Sequence, residues 1–312
     1  MTYMQLPGKK IWLFFLFWIL ICSSVVHAED GRWRLDGDGG SQLPYNFRLA
    51  SDDWHRTFEG EGPSRSGLDD LHVSASAQPS LEELPVLYDT LKKNAPNSSQ
   101  IYIIDLRQES HGYADNYPIS WHKKRNIANF GMDAAAVEKD ETRRLHSLLG
   151  HETTFIPMGN SDTKRFSEKT FAPSSVSTEK EAAEAAGFRY LRIAASDQMW
   201  PDDSAVDSFL EFVRTLPQDA WLHFHCQAGH GRTSTFLSIY DIMRNPDVDL
   251  EDIVKRHYLQ GGTDLLAPAQ GDSWYAVQNR RRAKMIRLFY RYAHEYLAGE
   301  TALSWGEWLK KE

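Results

Sequence analysis

A cysteine, Cys226, stands six residues before an arginine, Arg232, in the segment His225-Cys226-Gln227-Ala228-Gly229-His230-Gly231-Arg232-Thr233. The apolar stretch 221–225 precedes it, and a helical pattern begins near Thr233. Between a strand and a helix, such a segment can wrap so that successive backbone N–H groups point into one hollow and form an anion nest. Gly229 and Gly231 supply the backbone freedom that the wrap requires, and the new helix adds the positive end of its dipole. Arg232 can return over the hollow and grip two phosphate oxygens as a fork, which a lysine cannot imitate. The same electropositive hollow lowers the pKa of a thiol, so Cys226 is a candidate nucleophile toward phosphorus, by way of a covalent cysteinyl-phosphate.

Transfer of a phosphoryl group from an alcohol or phenol also needs a proton for the leaving oxygen. The polar stretch 195–203 follows a strand-like run, 188–193, and in a parallel sheet the loops after the strands open on one edge, beside the Cys226 loop. Asp197 is the first candidate for the acid and Asp202 the second, although Asp202 also fits the cap of the helix that follows. Thr233 can donate its hydroxyl to the sulfur, and it also fits the first turn of the helix. His225 reads as a residue that orients the loop through hydrogen bonds, and His230 sits within the loop. The twelve histidines show no metal-ligand spacing, so neither a metal nor a cofactor is expected.

The elements that must carry these residues alternate along the chain. Of the 312 residues, 41% are hydrophobic and 25% charged, an ordinary globular balance. Helical periodicity predicts helices at 81–93, 138–149, 178–186 with Gly187 as the stop, 204–215, 250–258 and 273–297. Strands are expected at 101–104, running into Asp105-Leu106-Arg107, and at 153–158, 188–193 and 221–225. This alternation indicates an α/β fold with a parallel-rich central sheet flanked by helices. Residues 29–100 read as an N-terminal arm packed on the main domain, and 159–178 as an exposed polar insertion.

Lys9 and Lys10 precede an apolar run, 11–22, followed by small residues up to Ala28. That is the pattern of a signal peptide over 1–28, too short for a comfortable membrane span, and it implies a secreted or periplasmic protein with no stable membrane association after cleavage. Ile21 before Cys22 argues against a lipoprotein cleavage box. Without these residues 33 basic and 43 acidic side chains remain, so the net charge moves from −8 to −10. Such a balance excludes nucleic acid as a general partner, and an anionic substrate must be bound by a local basic pocket. Loss of Cys22 leaves Cys226 as the sole thiol in an oxidising compartment.

The loop HCQAGHGRTS resembles that of the protein-tyrosine-phosphatase-like phytases, also called cysteine phytases or inositol polyphosphate phosphatases. Further stretches are similar to that family, among them Asn46-Phe47-Arg48, Asp105-Leu106-Arg107-Gln108-Glu109-Ser110-His111-Gly112-Tyr113, Ile119-Ser120-Trp121 and Phe289-Tyr290-Arg291-Tyr292. Together they reach from about residue 33 to the C-terminus, and the 105–113 stretch is the more specific marker. The resemblance implies a phosphatase core joined to a small partial β-barrel, inserted at roughly 109–178, and stepwise removal of phosphates from inositol hexakisphosphate. It implies Cys226 as nucleophile, Arg232 as phosphate clamp and Asp197 as general acid, with Arg48 and Asp105 at the edge of the substrate pocket. Gln198 stands where the family has a histidine, and Lys164 and Arg165 lie where relatives carry a basic recognition loop. Relatives have several lysines before the last helix, where this chain has Leu265-Leu266-Ala267-Pro268-Ala269-Gln270; Arg280, Arg281, Arg282 and Lys284 are the nearby basic groups. The expected activity is therefore hydrolysis of an inositol polyphosphate, a small-molecule partner. Dephosphorylation of phosphotyrosine or a phosphoinositide, and phosphate binding without turnover, stand as alternatives.

Overall fold

The strand Trp221–Cys226 is buried along its whole length, as a strand covered on both faces must be, and it occupies the middle of a five-stranded sheet. The computed structural model describes residues 31–159 and 161–312; the expected signal peptide, residues 1–28, lies outside them. The described strands, in chain order, are β1 Arg32–Leu35, β2 Arg48–Leu49, β3 Val73–Ala77, β4 Ile101–Asp105, β5 His111–Ala114, β6 Tyr117–His122, β7 Thr153–Pro157, β8 Lys169–Phe171, β9 Val176–Ser177, β10 Arg189–Arg192 and β11 Trp221–Cys226. The central sheet has the order β10-β4-β11-β3-β2, parallel throughout except for β2. Its parallel strands end together, so Ala77, Asp105, Arg192 and Cys226 share one edge. The register sets Cys226 beside Ala77, and His225 beside both Ser76 and Asp105.

The helices are α1 Glu83–Asn94, α2 Ala134–His146, α3 Asp162–Arg165, α4 Glu179–Ala185, α5 Asp203–Thr215, α6 Gly231–Arg244, α7 Leu250–Leu259, α8 Trp274–Leu297 and α9 Trp305–Leu309. One face of the sheet packs a large core that includes Phe209, Phe224, Phe236, Phe289 and Trp305. The other face packs Leu84, Leu87, Leu91, Tyr113 and Phe188. Helix α4 starts on a capping box in which Thr178 and Glu181 satisfy each other's backbone, and Gly187, at φ +102°, turns the chain into β10. Among the described residues no helix is long and apolar enough to cross a membrane.

A second, curled sheet has the order β8-β7-β1-β6-β5-β9 and forms the partial barrel around Trp33, Leu35, Ile119 and Phe155. Two expectations need correction. Residues 29–100 are not an arm, because they supply β1 to the curled sheet and β2 and β3 to the central one. The inserted barrel therefore draws a strand from outside 109–178. Nor is 159–178 an exposed insertion: it contains α3, β8 and β9, with Asp162 and Phe166 buried.

A buried ionic network joins the two sheets below the edge that carries Cys226. Asp105 takes the Tyr190 hydroxyl at 2.7 Å and the Arg107 N–H at 2.9 Å, and lies 3.3 Å from His111 Nε2. Glu179 of α4 lies 2.8 Å from His111 Nε2 and 3.1 Å from His225 Nε2. Glu141 of α2 takes Arg192 Nη1 at 2.7 Å and the His111 N–H at 2.9 Å. Burial alone would lower the pKa of His111, but Asp105 beside it outweighs this, and the imidazole is pushed up to about 10 from an ordinary 6.5.

That pair contributes stability in full below about pH 6.5, and the contribution is lost as the pH rises through about 10. The variant His111→Gln should lose about 3–5 kcal/mol near neutral pH, since it leaves buried carboxylates without their cation. It should also show a flatter decline in denaturation midpoint than the wild type between about pH 7 and about pH 10. Chemical denaturation of both proteins across that range measures this, and parallel pH curves would show that His111 is not held as a cation.

Candidate active site

The Cys226 loop is held from outside by its carbonyl oxygens. Arg48 Nη2 donates to the Gly229 carbonyl at 2.9 Å, Asn46 Nδ2 donates to the same oxygen at 3.1 Å, and the Gln78 N–H reaches the Gln227 carbonyl at 3.3 Å. With the carbonyls turned outward, the N–H groups of Ala228 to Arg232 donate to no other group among the described residues. They are left to an anion. Gly229 has φ +71°, and a Cβ there would sit 2.4 Å from the Ser76 carbonyl oxygen, so the loop rests directly on the backbone of β3. His230 lies 3.1 Å from the Gly261 carbonyl, and burial followed by the charge of Arg48 lowers its pKa.

Cys226 is buried at the floor of this loop. Burial raises the pKa of its thiol, but the Arg232 charge and the hydroxyl and N–H of Thr233 outweigh it, and the thiol is held below its ordinary value. Arg232 is itself fixed by Glu109, with Nη1 to Oε2 at 2.6 Å and Nη2 to Oε1 at 2.9 Å, while its buried Nε has no hydrogen-bond partner. Arg107 Nε binds the same Glu109 at 2.9 Å. Burial pushes Glu109 up, yet the two guanidiniums hold it well below the usual carboxylate range.

Asp197 lies where the 195–203 stretch was expected, with Oδ1 3.5 Å from Arg232 Nε and its side chain 22% exposed. The Gln198 N–H donates to that Oδ1 at 3.0 Å, and Asn126 Nδ2 donates to Oδ2 at 3.1 Å. Gln198 is exposed, at φ +62°, so its backbone rather than its amide serves the carboxylate. Asp202 is the exposed N-cap residue of α5 and makes no side-chain cap. A thiol of lowered pKa, a phosphate nest and a partly exposed carboxyl thus converge, which suffices for phosphoryl transfer through cysteine.

Two expected pocket residues lie elsewhere. Asp105 is fully buried in the ionic network, because its carboxylate is needed by His111, Arg192 and Tyr190. Arg48 is buried behind the loop, where it supports Gly229 from the side away from solvent; burial pushes its pKa down to about 10, against the opposing charge of Cys226. His225 is likewise sealed inside, raised by Glu179 against the effect of burial. Lys164 and Arg165 are exposed on α3, which is tied to the loop by Gln227 Nε2 donating to Asp162 at 3.0 Å. Arg165 stacks 3.8 Å over the ring of Tyr45, whose edge faces His230.

Sequence reasoning missed Glu109, Asn126, Asn46 and the placement of Arg282. Arg282, on α8, is buried with Nη1 only 2.8 Å from where a Cβ on Gly231 would stand, and its Nε has no partner. Burial lowers its pKa and the charge of Asp197 opposes that. Asp105, His111 and Glu179 have ligand atoms within 4.8 Å of one another. The Asp105 charge pushes the His111 imidazole up to about 10 against the effect of burial, which favours a hydrogen-bonded ion cluster at this trio.

A cysteine at the floor of a strand–loop–helix nest, on a parallel sheet with a partial barrel beside it, defines the protein-tyrosine-phosphatase-like class. A family model for PTP-like phytases, described as inositol hexakisphosphate, matches residues 104–244. The structure of a PTP-like phytase from Bdellovibrio bacteriovorus is 32% identical, with TM-score 0.68, over 89% of this chain and 94% of that one. The tandemly repeated PTP-like phytase from Mitsuokella multacida is 39% identical, with TM-score 0.82, over 89% of this chain and 49% of that one. The effector protein hopD2 of Pseudomonas syringae pv. tomato is 26% identical over 266 residues, 80% of this chain and 54% of hopD2. The chain spans about half the length of these last two proteins. It belongs to the PTP-like phytase family.

Thr233→Val keeps the shape of the side chain and removes the hydroxyl that helps to lower the Cys226 pKa. The pH profile of Cys226 alkylation by iodoacetamide should move to higher pH, and kcat should fall about tenfold or more, the usual cost of one hydrogen bond to a charged group. An unmoved alkylation profile would show that the hydroxyl does not stabilise the thiolate.

Proposed function

We propose that this chain hydrolyses phosphate monoesters of myo-inositol polyphosphates, phytate among them, and removes the phosphates stepwise. The observation that carries the reading is the Cys226 thiol, held below its ordinary pKa at the floor of the nest, with Asp197 Oδ1 3.5 Å from Arg232 Nε. The Cys226 thiolate attacks phosphorus, the bond between phosphorus and the inositol ester oxygen breaks, and Asp197 delivers its proton to that departing oxygen. Water then attacks the cysteinyl-phosphate, Asp197 takes a proton from it, and the thiolate leaves, stabilised by Thr233 and the nest. Arg232 and the loop N–H groups hold the charge on phosphorus through both steps.

The substrate class follows from the family and from the rim. The PTP-like myo-inositol phosphatase of Mitsuokella multacida has been solved with myo-inositol-(1,3,4,5)-tetrakisphosphate. In this chain the cations available to further phosphates are Arg282 above Gly231 and Lys164 and Arg165 on α3. Export is part of the same proposal: it is supported by the apolar run 11–22 after Lys9 and Lys10.

Phosphate release from phytate and from a phosphotyrosine peptide tests the reading. Wild type should have the higher kcat/KM on phytate, and Cys226→Ser should bind phytate without turnover. Preference for the peptide would favour the tyrosine-phosphatase alternative, for which the lack of lysines in 265–278 is the argument; no release from either would leave a binding module. Arg282→Ala should raise KM for phytate about tenfold while changing KM for para-nitrophenyl phosphate much less, because only the larger ester has a second phosphate to lose.

A further inference from the structure

We propose that Asn126 is a positioning residue that sets Asp197 for proton delivery and ties it to the phosphate clamp. Its Nδ2 donates both hydrogens, one to Asp197 Oδ2 at 3.1 Å and one to Glu109 Oε1 at 3.0 Å, and that same Glu109 holds Arg232. One amide therefore spans the acid and the carboxylate that fixes the clamp. Its other atom, Oδ1, is buried with no partner. The reversed amide would set an oxygen against two carboxylates, so chemistry fixes this orientation.

The backbone is arranged around that contact. Arg125 and Asn126 have φ +63° and +57°, two consecutive residues other than glycine in the left-handed region. Residues with a side chain seldom adopt this conformation in succession, and it persists where the surroundings enforce it. Here the Asn126 N–H closes a turn onto the Lys123 carbonyl at 2.8 Å, and the Arg125 guanidinium lies 4.9 Å over the ring of Trp274 at the start of α8. The turn is thereby clamped against a helix of the core, and the amide of Asn126 is pressed into the interior.

The need for this hold appears when phosphate arrives. Asp197 Oδ1 faces Arg232 Nε, the donor of the clamp that has no hydrogen-bond partner. A phosphate oxygen in the nest takes that donor away from Asp197. The carboxyl then has its own loop, through the Gln198 N–H, and Asn126 to keep it in place. Because Glu109 is shared, a shift of Arg232 toward phosphate is passed to Asn126 and on to Asp197.

The proposal rests on Asp197 being the acid, and the test separates the two. Values of kcat/KM are compared for an inositol phosphate, whose alkoxide needs a proton, and para-nitrophenyl phosphate, whose phenolate leaves without one. Asp197→Asn should lower the first by about 10²–10⁴ and the second far less. Asn126→Gly, in which glycine takes up the left-handed backbone without strain, should lower the first about tenfold or more and the second less than about threefold. Its melting temperature should stay close to that of the wild type. Asn126→Ser, too short to span both carboxylates, should repeat the pattern. Discrimination by Asp197→Asn but none by either Asn126 variant, whether both esters suffer equally or neither does, overturns the role of Asn126 alone. No discrimination by Asp197→Asn overturns the acid reading and the proposal with it.

Discussion

A thiolate and a phosphate ester are both anions, and the cations that hold them must stay in place when the site is empty. Burying a guanidinium without a counter-charge costs several kcal/mol, and Arg107, Arg192 and Arg232 are each bound to a carboxylate that never meets solvent. Glu109 is the hinge of this arrangement, since Arg232 and Arg107 both close on it. From there the pairing runs on through Asp36, Asp105, Glu141 and Glu179 to Arg192, His111 and His225. These charges cancel when both imidazoles are protonated, and the carboxylates beside them raise both imidazoles against the effect of burial. The network also joins β4, β5, β10, β11, α2 and α4, so the electrostatic demand of the site and the cohesion of the two sheets are met by the same side chains.

The pairing also explains how an acidic protein can hold an anion. The net charge of −8 is spread over the whole chain, whereas Cys226 lies beside Arg232 and Arg48 in a region from which water is excluded. Short-range charge in a low-dielectric interior outweighs a screened surface field. The carboxylates nearest the loop are spent on arginines, and Asp197 alone keeps partial exposure to solvent.

The central strands and helices were legible because Ile101–Asp105 and Trp221–Cys226 are apolar runs and α5 and α8 carry helical stripes. Strand β3 escaped notice because Val-Ser-Ala-Ser-Ala has almost no bulk, although all five of its residues are buried. Its serines turn toward His223, which hydrogen-bonds Ser74 and Ser76 at 2.9 Å each. The loop was legible because Cys226 to Thr233 are contiguous. Glu109, Asn126 and Arg282 reach the site from outside the loop; Glu109 lies in the 105–113 marker and Arg282 among the basic residues of the last long helix, but nothing in the local sequence shows which group each one meets. Asp105 and Arg48 were placed at the pocket by resemblance, and their burial shows that they sustain it from behind.

The absence of room at Gly229 has a further meaning. With its floor formed by the backbone of β3, the loop has no room there for a side chain. The chemistry is thereby separated from the choice of molecule. Variation among such enzymes has to be accommodated on α3 and along the first turns of α8, outside the loop that holds the sulfur. A scaffold divided in this way can change its diet while leaving its reaction untouched.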